Sequence, residues 1–167
     1  MANHAHRKHA ATVVACAVVT VSDTRTPETD ESGTRIRTAL EGAGHRVVSY
    51  AILPDDPSRI RAHVQVVLGD PAVQAVIVNG GTGIAPRDTT YEALTALLEK
   101  RLDGFGELFR MLSWEQVGSA AMLSRAAAGI ARGKLLASLP GSPDAVTLAM
   151  ERLLVPELGH IARLLEG

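Results

Sequence analysis

A chain of 167 residues, 46% hydrophobic and without a long apolar tract or low-complexity block, has the size and composition of one globular domain. Its 17 basic and 18 acidic side chains leave a net charge of -1, and its rings are only two Tyr, two Phe and one Trp. That balance excludes the basic footprint and the stacking platform of a nucleic-acid binder, and the single cysteine, Cys16, excludes an internal disulfide and a cysteine-based metal cluster.

Residues 1–12 carry three of the six histidines and read as a polar tail ahead of one domain, 13–167. The apolar run that follows has the outline of a secretion signal. It is rich in β-branched valine, however, and runs straight into the polar "SDTRT", so it reads as a first strand, Ala15–Val21, of a cytoplasmic protein with no membrane partner. Ile36, Ala39, Leu40 and Ala43 then recur at helical spacing and stop at Gly42 and Gly44. Val47–Leu53 is a second strand. Ile60, Val64, Val67 and Leu68 mark a helix ended by Gly69, and Val73–Val78 is a third strand. Leu94, Leu97 and Leu98 mark the next helix. The segment Gly104–Gly118 gathers Phe105, Phe109, Met111 and Trp114, which suits core packing, the lining of a site, or a subunit contact. Ser119 to Ala131 reads as helical, ahead of a last strand, Lys134–Leu139. Ser142-Pro143-Asp144 then starts a helix carrying Val146, Met150, Leu153 and Leu154. Unbroken apolar strands alternating with helices predict a three-layer α/β/α sandwich around a mainly parallel sheet.

In such sheets ligands bind beyond the carboxyl ends of the strands. The segments leaving those ends are "SDTRT" (Ser22, Asp23), "PDDP" (Asp55, Asp56), "NGGTGIAPRD" (Gly80, Gly81, Thr82, Gly83, Asp88) and "PGSP" (Pro140, Gly141, Ser142). The glycines fit neither the P-loop nor the dinucleotide pattern, but bare amides with a threonine hydroxyl suit an anion as well as a tight turn. Asp56 is placed to cap a helix with Pro57 at its first position. Thr89 and Glu92 are spaced as a capping box. Asp55 and Asp88 are then left without a local task. Such a pair suits Mg²⁺ bridged to phosphate oxygens, or two solvated loop acids. Arg87 and Arg125 are candidate phosphate partners.

"TVSDTR", "DESG", "GGTG" followed by "RD", "GFGELFRMLS", "GSAAMLSRA" and "LPGSP" fall in order over about residues 13–161. Together they resemble the MoaB/Mog family of molybdenum-cofactor biosynthesis, nearer to its MoaB branch. The resemblance implies a molybdopterin adenylyltransferase: Mg²⁺-ATP and molybdopterin give adenylylated molybdopterin and pyrophosphate. It further implies a homo-oligomer, trimer or hexamer. The metal-binding and catalytic aspartates carry over to Asp55 and Asp88. Ser22, Asp23, Gly80, Gly81, Thr82, Gly83 and the Pro140-Gly141-Ser142 loop carry over as substrate and nucleotide contacts. A homologue that binds molybdopterin without turning it over is the alternative. Asn79 stands where the family more often has threonine.

Overall fold

The structure, a computed structural model, describes residues 12–167; the tail expected over residues 1–12 lies, except for Thr12, outside the described residues. The chain runs β1 (Ala15–Val21), α1 (Glu31–Gly42), β2 (Arg46–Leu53), α2 (Pro57–Gly69), β3 (Ala75–Asn79), α3 (Thr90–Thr95) and β4 (Lys100–Arg101). It continues through α4 (Asp103–Val117), a 3₁₀ segment (Gly118–Leu123), β5 (Ala127–Ala131) and β6 (Lys134–Leu139). It ends in α5 (Pro143–Ala149), a π-helical turn (Met150–Leu154) and α6 (Val155–Leu165).

One sheet of order β2-β1-β3-β6-β5-β4 divides the molecule. The first four strands are parallel, and β5 and β4 are antiparallel at the far edge. Alternate residues of each central strand enter two separate cores, as the period of two requires. Cys16, Val18 and Ile77 pack with Ile36, Phe109, Met150 and Leu158 under α1, α4, α5 and α6. Ala17, Val19 and Val76 pack with Ile60, Val64 and Leu94 under α2 and α3. With both faces covered, the strands carry no polar alternation, which is why they were readable as apolar runs.

Two expectations are corrected, and one segment without a predicted element is assigned. The helix anticipated over Ser119 to Ala131 is instead a short 3₁₀ segment followed by a strand. Arg132 and Gly133, both at positive φ (50° and 70°), turn β5 back onto β6 in a two-residue hairpin. Gly104–Gly118, to which the sequence assigns no element, is largely a helix, α4. The third stripe is cut short: α3 ends at Thr95, and Leu97 and Leu98 lie in the turn to β4.

Candidate functional site

The parallel register brings four strand ends to one rim: Val21 lies beside Leu53, and Asn79 lies beside both Thr20 and Leu139. Backbone bonds carry the pairing one residue further, Ser22 N–H to the Leu53 carbonyl (2.8 Å) and Gly80 N–H to the Leu139 carbonyl (3.0 Å). The loops that leave these ends are the ones singled out in the sequence. Gly80 and Gly81 take φ of 97° and 67°, in the left-handed region. A Cβ on Gly80 would run into the Val21 carbonyl oxygen, and one on Gly81 into the Thr90 hydroxyl and toward the Asp55 carboxylate. Glycine here is demanded by the close approach of loop to carboxylate as well as by the turn.

The capping expectations divide. Asp56 caps α2 by accepting from Arg59 N–H (3.0 Å), and Asp55 is left to face the rim. Thr89 occupies the N-cap position of α3 without a side-chain cap bond. Its hydroxyl donates to Asp55 Oδ1 (3.2 Å), and Glu92 pairs with Arg125 instead of reaching back. Asp88 does not cap the helix either. Its carboxylate accepts from Ala85 N–H (3.1 Å), closing the turn of its own loop, so it has a local partner that the sequence reading did not supply. Asp23 Oδ1 accepts from Asp55 N–H (3.0 Å), and its Oδ2 lies 3.7 Å from the exposed Arg87 guanidinium.

These contacts put three carboxylates in one electrostatic neighbourhood. Burial holds the Asp55 carboxyl above the usual aspartate range; the Thr89 hydrogen bonds pull it down, and the charges of Asp88 and Asp23 push it up again. Among the described residues no group of three or more His, Cys, Asp or Glu converges to hold a metal by itself. Asp55 and Asp88 nevertheless fit Mg²⁺, which takes one or two protein carboxylates and completes its shell with water and substrate phosphate. The Thr90 hydroxyl, fully buried beside Asp55 and without a hydrogen-bond partner, adds an oxygen to the same corner.

Across the rim, Ser142 caps α5 by accepting from Ala145 N–H (3.2 Å), and Pro143 stands at the first helical position. Between this loop and the glycine loop opens a cavity of about 530 Å³, a size suited to a small molecule. Gly81, Thr82, Gly83, Asp88, Pro140, Gly141 and Ser142 line one side. The opposite wall is Phe109, Ser113 and Gln116 of α4, from the segment for which lining a site was one of three readings, with Ala121 and Leu123 of the 3₁₀ segment, which were not assigned from sequence. Helical spacing of Phe105, Phe109 and Leu112 was the available signal. Ser22 and Gly141 border a smaller hollow of about 90 Å³ next to it. The Ser22 hydroxyl is engaged by the amides of Thr24 and Arg25. Asn79 is buried and donates to Thr20 Oγ1 (2.9 Å), tying β3 to β1 beneath the rim.

Comparison with known proteins gives a consistent result. A family model described as "Probable molybdopterin binding domain" matches residues 17–160. The molybdenum cofactor biosynthesis protein B of Halalkalibacterium halodurans is 52% identical over 159 residues, covering 95% of this chain and 94% of its own. The Bacillus subtilis protein of that name is 50% identical over 159 residues, with the same coverage of 95% and 94%. A crystal structure of a molybdenum cofactor biosynthesis protein B, 51% identical, superimposes with a TM-score of 0.92 over 95% of this chain and 99% of that one. The tungsten cofactor synthesizing protein MoaB from Pyrococcus furiosus, 36% identical, gives 0.84 over 95% and 100%.

Proposed function

The chain belongs to the molybdopterin-binding-domain family of molybdenum-cofactor biosynthesis, that of the MoaB and Mog proteins, and on that premise we propose that it adenylylates molybdopterin at the rim of its sheet. Its role in making the molybdenum cofactor follows from membership; the reaction is the proposal. The observation that carries it is the lie of Asp55 and Asp88 against a glycine loop in which four successive amides, between the bonded ones of Gly80 and Ala85, have no acceptor among the described residues. No acceptor among the described residues takes the amide hydrogens of Gly81, Thr82, Gly83 or Ile84.

In the proposed reaction the terminal phosphate of molybdopterin attacks the α-phosphorus of ATP in line. A new P–O bond forms, the bond to the β-phosphate bridging oxygen breaks, and pyrophosphate leaves with the electron pair. A phosphate monoester is already ionised at neutral pH, so no side chain has to act as a base. The protein's work is then to hold two polyanions at reacting distance. The glycine-loop amides, with the Thr82 hydroxyl, receive one phosphate. Gly141 and Ser142 border the other end of the cavity, and the Phe109 and Leu123 wall suits a flat heterocycle. Asp55 and Asp88 would hold Mg²⁺, which when bound neutralises phosphate charge. ATP as substrate agrees with a cytoplasmic setting. A homo-oligomer, trimer or hexamer, is part of the same proposal. Leu108, Met111, Trp114, Val117 and Met122 are all exposed, on α4 and the segment after it, and large apolar side chains of this kind are candidates for burial between subunits.

Incubating the purified protein with molybdopterin, ATP and Mg²⁺ tests the reaction. Adenylylated product and pyrophosphate are expected in equal amounts. Wild-type protein that binds molybdopterin and yields neither is a carrier, and the enzymatic reading falls. Asp88→Asn should abolish product yet cost under about 1 kcal/mol of stability, since an amide oxygen can still accept from Ala85 N–H.

A further inference from the structure

Arg125 was a candidate phosphate partner, but its side chain is turned to the back of the glycine loop. Nε donates to the Thr82 carbonyl (2.9 Å), and Nη2 donates to the carbonyls of Gly83 (2.6 Å) and Asp88 (3.4 Å). Nη1 pairs with Glu92, whose carboxyl is held below its usual range chiefly by that bond. The Tyr91 ring packs against the guanidinium, 4.8 Å from centroid to carbon. Thr82, Gly83, Asp88 and the neighbouring Ser124 all line the cavity, and Arg125 is not among its lining residues.

This arrangement fixes the direction of two peptide planes. In a trans peptide the carbonyl and the following N–H point to opposite sides, and no peptide bond among the described residues is cis. With the Thr82 and Gly83 carbonyls turned to Arg125, the N–H groups of Gly83 and Ile84 must point away from it. Those are two of the amides for which no described residue supplies an acceptor. A cation on the carbonyl side also draws electron density from the peptide and makes each N–H a stronger donor.

We propose that Arg125 is a positioning residue, a fork behind the loop that aims the Gly83 and Ile84 amides at a phosphate group of the ligand without touching that ligand itself. Glu92 and Tyr91 hold the fork in place. The role requires the planar spread of a guanidinium, because a lysine ammonium carries its donors on one nitrogen and cannot span separate carbonyls. The inference rests on the phosphate-binding reading of the loop given above.

The test is calorimetric titration with inorganic pyrophosphate, alongside amide spectra of ¹⁵N-labelled protein. R125K and R125Q should both bind at least about tenfold more weakly than wild type, since charge without the fork is not enough. In wild type the Gly83 and Ile84 amides should move on adding pyrophosphate. In R125K they should already be displaced in the free protein, with the core resonances unchanged. If R125K binds as wild type does, the charge alone is being used and the inference is overturned while the phosphate site stands. If wild type binds no pyrophosphate, the inference and the phosphate site fall together. Should the Arg125 variants not fold, E92Q decides. It keeps the guanidinium and loosens it, and must weaken binding; unaltered binding and unaltered Gly83 and Ile84 amides overturn the inference.

Discussion

The fold disfavours the charged form of Asp55, and substituting it should show this. Its carboxyl is raised by burial and by two neighbouring aspartates, so the charged form is better tolerated in the unfolded chain than in the native one. Asp55→Asn should therefore melt at or above the wild-type temperature at pH 7, and should not gain the stabilisation that Mg²⁺, held as proposed, is expected to give wild type. His45 works in the other sense. Its Nδ1 accepts from Val14 N–H (3.1 Å), and burial holds its pKa below 6.5. The native state prefers neutral imidazole, so this contribution is present above pH 6.5 and is lost as pH falls through the lower folded value. His45→Gln should flatten the decline in melting temperature between pH 7 and pH 5. At this scale sequence reasoning placed residues better than it placed their partners. It set Asp88 outside the helix and Thr89 at the cap position, but the bonds go to Ala85 and Asp55, and Glu92 is claimed by Arg125. The Thr89 and Glu92 partners come from distant parts of the chain, which local spacing does not report.

The elements were legible where burial left a periodic trace. β1, β3 and β6 lie between two helical layers and are buried and mostly apolar, so their runs stand out. β5 left a misleading trace. "SRAAAGIA" is rich in residues with high helix propensity, and it becomes a strand because Arg132-Gly133 folds it onto β6. Small residues are required there for a reason of packing: a Cβ on Gly129 would meet the Lys100 carbonyl oxygen. The glycine loop has a comparable constraint. Gly80→Ala should cost about 1–2 kcal/mol from the left-handed backbone alone and more from the clash with Val21. The loss should appear as a lower denaturation midpoint even when no substrate is present.

For the whole molecule, the exposed apolar side chains of α4 and the segment after it have the most direct consequence. Trp114 is 62% exposed and Met122 79%, which makes them the side chains by which the proposed homo-oligomer is tested. Trp114→Glu should shift the protein toward monomer in light-scattering measurements, with a far-UV spectrum unchanged. The order of the sheet bears on how the protein is made. β3 is flanked by β1 and β6, and β6 comes late in the chain, so during synthesis one edge of a fully buried strand waits unpaired until residues 134–139 leave the ribosome. Nascent chains stalled before that point should remain protease-sensitive and engage chaperones, and they should become resistant together once β6 has emerged.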